Sequence, residues 1–277
     1  MDAETLLSVE KFAIDLAKHA GQIMKDASSR KDLVVEEKID HTDLVTEADK
    51  AIEAFVFSKV REKYPHHKLI GEESTTGKVE FSDDPTWIID PIDGTTNFVH
   101  RFPFVCISIG FVVNKEAILG IIYNPFYGKL YTARKGCGAY CNGVPIQVRK
   151  NTNIDTALIC GILNGPMSRE TLSKFAENAQ TLSWMSHGFR DVGSAALSIC
   201  FVAHGFFDAY YHFGLHCWDM AAGVVILTEA GGCVTDTNGD AFNLMKRRII
   251  AANNLSIAAA VKNGLKHQFS FESECHN

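Results

Sequence analysis

The chain has 277 residues, 46% of them hydrophobic and 22% charged, with a formal net charge of -6 at pH 7. That balance describes a folded chain long enough for a sizeable core, and it excludes disorder and the basic footprint of a nucleic-acid binder. The longest apolar run, Val105 to Val113, contains Ser108 and Gly110 and is too short to cross a bilayer, so no membrane role is expected. The acidic opening Met1-Asp2-Ala3-Glu4 has neither the basic nor the apolar region of a signal peptide, which points to a cytoplasmic protein. Eight cysteines lack regular spacing, and Cys137 and Cys141 have no second pair nearby to complete a zinc site, so reduced core thiols are expected.

Val9, Phe12, Ala13, Leu16, Ala20 and Ile23 recur at helical spacing and predict an amphipathic first helix. After Lys31 the composition turns charged, and Glu36-Glu37-Lys38-Ile39-Asp40-His41, lacking any period, reads as a mobile loop. Thr46 opens a second helix through Ile52, Phe55, Val56 and Val60. Its start, Thr46-Glu47-Ala48-Asp49, has the form of a capping box, which by itself accounts for Asp49. Tyr64-Pro65 stops that helix, and Lys68-Leu69-Ile70-Gly71-Glu72-Glu73-Ser74 follows as a short strand ending in acid. There a solvated glutamate pair and a functional carboxylate are both open readings.

Trp87-Ile88-Ile89-Asp90-Pro91-Ile92-Asp93-Gly94-Thr95-Thr96-Asn97 is the centre of the chain's logic. A buried strand delivers two carboxylates to its own end, Pro91 favours a turn after Asp90, and Gly94 frees the backbone for a helix opened by Thr95 and Thr96. The free N–H groups of a helix start form an anion site. Carboxylates beside an anion site require cations between them, the arrangement of two-metal phosphoryl hydrolysis; simple helix capping by Asp93 or Thr96 is the alternative.

Val105–Ser108, Gly110–Val113, Ile118–Tyr123 and Lys129–Thr132 then form short β-rich runs, an antiparallel meander. Gly136-Cys137-Gly138 lacks the third glycine and the helix of a dinucleotide fingerprint, and Asn142-Gly143 signals a tight hairpin instead. A strand over Ala157–Ile162 and a helix from Arg169 to about Ala179 follow. Gly188 to Ala196 opens a further helix whose small residues either expose N–H groups to a ligand or allow close packing through Gly193 and Ala195. Asp208–Tyr211 reads as a strand. His212 and His216 share the spacing of helical zinc ligands, but Gly214 and extended flanks favour ordinary loop and core histidines. Asp219 sits at the start of an apolar helix closed by Ala230-Gly231-Gly232, where capping explains it as well as metal binding does. Strands near Cys233–Thr235 and Arg248–Ala251 are the last core elements expected, with a polar, fraying tail after Phe269.

Gly71-Glu72-Glu73-Ser74, Trp87 through Phe98, and Trp218-Asp219 with Glu229-Ala230-Gly231-Gly232 together closely resemble the inositol monophosphatase family, in order and spacing over nearly the whole chain. The resemblance implies a layered α-β-α-β-α sandwich of the inositol monophosphatase and fructose bisphosphatase type. It also implies one catalytic domain over residues 1–277, built of two intimately packed α/β halves meeting near residue 150, and a homodimer. The activity it implies is Mg2+-dependent, lithium-inhibited hydrolysis of inositol monophosphates, with two or three Mg2+ per site. Carried over residue by residue, the metal ligands would be Glu72, Asp90, the carbonyl of Ile92, Asp93 and Asp219. Thr95 and Asp49 would orient the attacking water, Lys38 would lie on a mobile active-site loop, and the phosphate would rest on the N–H groups of Gly94 and Thr95. Substrate contacts would come from Glu72, Asp93, Gly94, Thr95, Gly193, Ser194, Ala195, His212 and Asp219.

Two stretches depart from the family pattern. His212 stands where the family carries a glutamate, and Gly161-Ile162-Leu163-Asn164-Gly165 also differs. The same machinery on another small phosphate monoester, such as histidinol phosphate, a sugar phosphate or a nucleotide 3'-phosphate, is therefore the alternative. An unperturbed histidine titrates near ~6.5, so substrate affinity is expected to vary with mildly acidic pH. An aspartyl-phosphate mechanism needs its nucleophile two residues before the second aspartate, whereas Asp90 lies three before Asp93. A non-catalytic metal or phosphoinositide-binding module would have no need of Thr95 and Asp49.

Overall fold

The computed structural model describes residues 2–30, 35–38, 44–163 and 168–271. Helix α1 (Ala3–Ser28) starts at Asp2, whose side chain accepts the Thr5 N–H, and turns Val9, Ala13, Leu16 and Ala20 inward. Val35–Glu37 (β1) pairs antiparallel with Leu44–Thr46 (β2), which corrects the expectation that residues from Glu36 onward form only a loop. All of β1 is exposed, so its order comes from its partner strand and leaves no hydrophobic period to read. Ile39-Asp40-His41 lie outside the described residues. Helix α2 (Glu47–Lys63) follows β2 directly, with the expected capping box at Thr46 and Asp49.

The first sheet runs in chain order: β3 (Lys68–Gly71), β4 (Thr86–Asp93), β5 (Cys106–Val113), β6 (Glu116–Asn124), β7 (Lys129–Arg134), β8 (Ala139–Cys141) and β9 (Val144–Ile146). Only β3 and β4 are parallel within it. Val105–Ser108 and Gly110–Val113, read as separate runs, fall on the single strand β5 from Cys106 onward, with Val105 just before it. Asn142 and Gly143 both take positive φ, 52° and 77°, as a two-residue primed hairpin turn demands.

The second sheet has the order β11-β10-β12-β14-β13, from β10 (Leu158–Gly161), β11 (Gly188–Arg190), β12 (Ala209–Phe213), β13 (Cys233–Thr235) and β14 (Arg248–Ala252). The remaining helices are α3 (Thr95–Val99), α4 (Arg169–Met185), α5 (Ala195–Ala203), α6 (Cys217–Glu229) and α7 (Leu255–Gly264). Gly188 to Arg190 is thus a strand, and the helix expected to open there begins only at Ala195, capped by Ser194. Helix α4 runs past Ala179 because Leu182 is still buried. Helix α7 went unread in the sequence, although Asn254 caps it and Ile257, Ala258 and Val261 give it a buried stripe.

Three apolar layers hold this together. Helices α1 and α2 bury Val9, Ile52 and Val56 against Trp87, Ile107 and Ile121 on one face of the first sheet. Helices α5 and α6 lie between the sheets, packing with Ile122 and Tyr131 of the first and Tyr210 and Ile249 of the second. Helices α4 and α7 cover the far face of the second sheet with Phe175 and Ile257. On β14 the period of two is explicit: Ile249 and Ala251 face the central helices, Ile250 and Ala252 the outer ones. The result is the α-β-α-β-α sandwich that the family resemblance implies. Helix α6 sits so close to β5 that a Cβ on Gly110 would stand 2.7 Å from the Ala221 Cβ, and this contact fixes where the start of α6 meets the sheet. Phe269 packs on Phe175 and Phe213, and Phe271 lies beneath the Arg247 guanidinium, so the described tail through Phe271 is tied down where fraying was expected. Residues 272–277 lie outside the described residues. The seven described cysteines form no disulfide with one another.

Candidate active site

The acidic cluster begins with an irregularity in β4. Residues three apart on a regular strand face opposite sides, yet the β4–β5 register steps from Asp90 opposite Ser108 to Asp93 opposite Cys106, three residues against two. Such a bulge brings both carboxylates to one side of the sheet. Pro91 therefore does not turn the chain after Asp90, as expected from sequence; it lies within the strand, where the bulge tolerates its missing N–H. The turn comes at Gly94, whose φ of +97° suits glycine, and where a Cβ would stand 3.0 Å from the Gly193 carbonyl oxygen.

Asp93 is held by the start of α5. Its Oδ1 accepts the Ala195 N–H at 3.1 Å and its Oδ2 the Ala196 N–H at 2.8 Å and the Ser194 hydroxyl. Burial raises the Asp93 pKa while these bonds lower it, with the net direction upward. The N–H groups expected to be offered to a ligand at Ala195 are thus engaged by the protein's own carboxylate, a correction that follows from Asp93 lying within reach of a helix N-terminus. Asn97 fastens the same junction by donating to the carbonyls of Phe104 and Val192.

Asp219 occupies the first turn of α6, where its Oδ2 accepts the His216 N–H at 2.6 Å. Asp49, fully buried, holds the same position in α2: its Oδ2 accepts the Thr46 N–H and hydroxyl at 2.9 and 2.5 Å, leaving Oδ1 for the Thr95 hydroxyl at 3.4 Å. Capping and site geometry therefore coexist in this one residue. Burial, opposed by the Thr46 bonds and reinforced by Glu72, brings the Asp49 carboxyl up to about 6. The Thr95 hydroxyl also reaches the Ile92 carbonyl at 3.1 Å.

Glu72 follows β3 at the cavity edge, and Lys38 donates to it and to Glu73, each at 2.8 Å. Burial lowers the Lys38 ammonium, but the two glutamates outweigh it and hold it above its usual range. Burial and Glu72 push Glu73 to about 7. Beneath them the buried Glu53 accepts the Glu73 N–H at 2.8 Å. Sequence reading passed over Glu53, although it stands four residues after Asp49 on the buried face of α2, where an acid is out of place.

These elements meet at a cavity of about 540 Å³. Glu72, Asp93, Gly94, Thr95, Gly193, Ala195, His212 and Asp219 line it, together with Asp191 and Arg247, which the sequence did not single out. His212 is no zinc ligand in this arrangement: its Nδ1 pairs with the Tyr210 hydroxyl at 2.8 Å, while His216 Nε2 faces the Arg247 guanidinium at 2.9 Å. Burial pushes His212 down to about 3, so the expected titration in mildly acidic solution is corrected to a neutral imidazole throughout that range. Of the segment Gly161 to Gly165, Asn164 and Gly165 lie outside the described residues.

Oxygens of Asp90, Asp93 and Asp219 all lie within 4.8 Å of one another, a span that one cation with hard oxygen ligands at about 2.0–2.6 Å closes. Asp90 Oδ1 is buried without a hydrogen-bond partner among the described residues. Burial, then Glu72, Asp93 and Asp219, raise its pKa well above the usual carboxylate range. An orphaned oxygen within a repelling set of carboxylates fits a hard divalent cation and has no thiolate or imidazole to favour a softer one.

Fold and cluster together are those of a cation-dependent phosphatase. The model of the inositol monophosphatase family matches residues 5–268. Inositol monophosphatase 1 of Rattus norvegicus is 47% identical over 259 residues, covering 92% of this chain and 93% of the relative. The solved structure of the extragenic suppressor protein suhB from Bartonella henselae superposes with a TM-score of 0.84 at 30% identity, over 95% of this chain and 100% of that one. Inositol monophosphatase from Anabaena does so with a TM-score of 0.81 at 33% identity, over 94% and 96%. The chain belongs to the inositol monophosphatase family.

Proposed function

We propose that the protein hydrolyses inositol monophosphates to inositol and phosphate with Mg2+. The observation that carries the reading is the buried Asp90 Oδ1, partnerless among the described residues, within a cluster with Asp93 and Asp219, which line the cavity. Asp90, Asp93, Asp219, Glu72 and the Ile92 carbonyl would hold two or three Mg2+. When bound, these cations would offset the charge of the incoming phosphate and lower the pKa of a water. The phosphate would lie against the N–H groups of Gly94 and Thr95. Thr95, donating its proton to Asp49, keeps its oxygen lone pairs free to accept from that water and aim it at phosphorus. Asp49, with its pKa raised to about 6, is suited to take up the proton the water gives up. Lys38 would leave Glu72 to a cation and move with its own segment. Gly193, Ser194 and His212 would bound the ring of the substrate.

The same reading extends to one catalytic unit, supported by the core that α5 and α6 share with both sheets, and to a lithium-inhibited, cytoplasmic homodimer acting in phosphoinositide metabolism, as the family resemblance implies. The test is phosphate release from inositol 1-phosphate by protein stripped with chelator and then titrated with Mg2+. Activity should be absent after stripping and return with Mg2+. Full activity in the stripped protein, or no release from any phosphomonoester after reloading, would overturn the reading.

A further inference from the structure

Away from the carboxylate cluster, the cavity is bounded on the second-sheet side by His212 of β12 and Asp191 of the loop joining β11 to α5. The hydroxyl of Tyr210 is fully buried, and the partner that the described residues give it is His212 Nδ1, at 2.8 Å. A buried hydroxyl must donate its proton, so Tyr210 donates and Nδ1 accepts. That assigns the imidazole proton to Nε2, and a neutral ring of this tautomer meets a ligand only as a donor. Asp191 is the complement. Its Oδ2 accepts the Leu163 N–H at 2.9 Å, which ties the end of β10 to the loop before α5, and the carboxylate also draws on the Gly193 N–H. A carboxylate offers about four lone-pair positions, so acceptor capacity remains for the cavity.

Resting on the hydrolase reading above, we propose that Asp191 is a specificity-determining residue, the acceptor half of a donor–acceptor pair with His212 that selects a polyol phosphate. One ring hydroxyl of the substrate accepts from His212 Nε2–H and another donates to Asp191. A phosphate ester with no further hydroxyl gains neither bond, so the discrimination lies in the two bonds that only a polyol can make.

Asp191→Asn is the sharp test, because the amide oxygen can keep the Leu163 N–H while the amide nitrogen puts a donor in place of the other acceptor. The expected result is that kcat/KM for inositol 1-phosphate falls about ten- to a hundredfold more than kcat/KM for p-nitrophenyl phosphate. Inositol 1-phosphates carrying fluorine in place of single ring hydroxyls provide a second reading. At one ring position wild type should discriminate against the fluoro compound and Asp191→Asn should not, a signature that a merely structural role of Asp191 would not produce. An unchanged ratio between the two esters, with equal discrimination against every fluoro compound in both proteins, would overturn the assignment while leaving the hydrolase reading intact. A wild type inactive on both esters would overturn the hydrolase reading and this inference with it.

Discussion

At the β4 end of the cavity, Asp90, Asp93 and Asp219 are crowded together by burial and a strand bulge, whereas on the second-sheet side His212 and Asp191 stand apart from one another's charge, each bonded by the fold, to Tyr210 and to Leu163. The first region holds a repelling set of acids whose free energy is lowered by whatever cation enters; the second holds a neutral donor and a bonded acid that the fold tolerates unaided. The lesson is that the crowded acids cost more stability, until a cation offsets them, than the singly bonded pair does. Substitutions at the two ends should therefore separate activity, stability and selectivity.

The hardest blow to the comparison is Asp90→Asn. If Asp90 holds the cations as proposed, its loss should remove several kcal/mol of transition-state stabilisation, on the order of 10⁴-fold in kcat. The same variant should melt at a higher temperature than wild type without metal at pH 7. Burial, then the neighbouring carboxylates, raise the folded pKa of Asp90, so its favourable contribution exists below the unfolded carboxylate pKa and is lost as pH rises through the folded value. Above the unfolded carboxylate pKa the metal-free wild type progressively loses that contribution, and asparagine avoids the loss. A metal-free variant that melts lower than wild type would break the comparison.

Next come Thr95→Ala and Asp49→Asn, each expected to lower kcat about 10²–10⁴-fold with little change in KM, since in the proposed mechanism both bear on one water. Because Thr95 reaches Asp49 directly, the double variant should lose little more than either single one. Losses that multiply would show that the two residues act separately.

Ser194→Ala sharpens the picture from one step further out. It removes a hydroxyl that bonds Asp93, one of the acids proposed to hold the cation, and such support is typically worth about 10–100-fold in metal affinity. The Mg2+ concentration giving half-maximal activity should rise by that factor, with kcat at saturating Mg2+ nearly restored.

The smallest effect belongs to His212. Its folded pKa, about 3, lies below the unfolded value of ~6.5, so the unfolded chain binds a proton first. Stability from the neutral ring is present above ~6.5 and declines as pH falls towards the folded value. Denaturant unfolding at pH 7 and pH 4.5 should show wild type losing stability relative to His212→Gln on acidification, and the imidazole NMR signals should stay unshifted between pH 5 and 7.5.

Much of the carboxylate end was legible because it is local. Asp90, Asp93, Gly94 and Thr95 are consecutive or nearly so, and strand-then-glycine-then-helix chemistry is written in adjacent residues. What misled there was Pro91, read as a turn: a bulge is a relation between β4 and β5 and has no signature in β4 alone. The β1 strand escaped for the same reason, since its order resides in its pairing with β2. Asp191 and Arg247 were overlooked because each is an ordinary surface-type residue until the fold turns it towards the cavity. Helix α7 is different, since Asn254, Ile257, Ala258 and Val261 carried a readable cap and stripe.

By itself the sequence determined the periodic helices, the strand meander, the motif at the end of β4 and the chemical type of the carboxylates, all of which depend on residues within a turn or two of one another. The tertiary structure decided that the starts of α2, α5 and α6 converge on that strand end, that Asp93 is held by Ser194, Ala195 and Ala196 about a hundred residues later, and that burial turns His212 from a titrating group into a fixed donor. Desolvation and long-range hydrogen bonding arise only when distant segments exclude water together, and no window of sequence contains that exclusion.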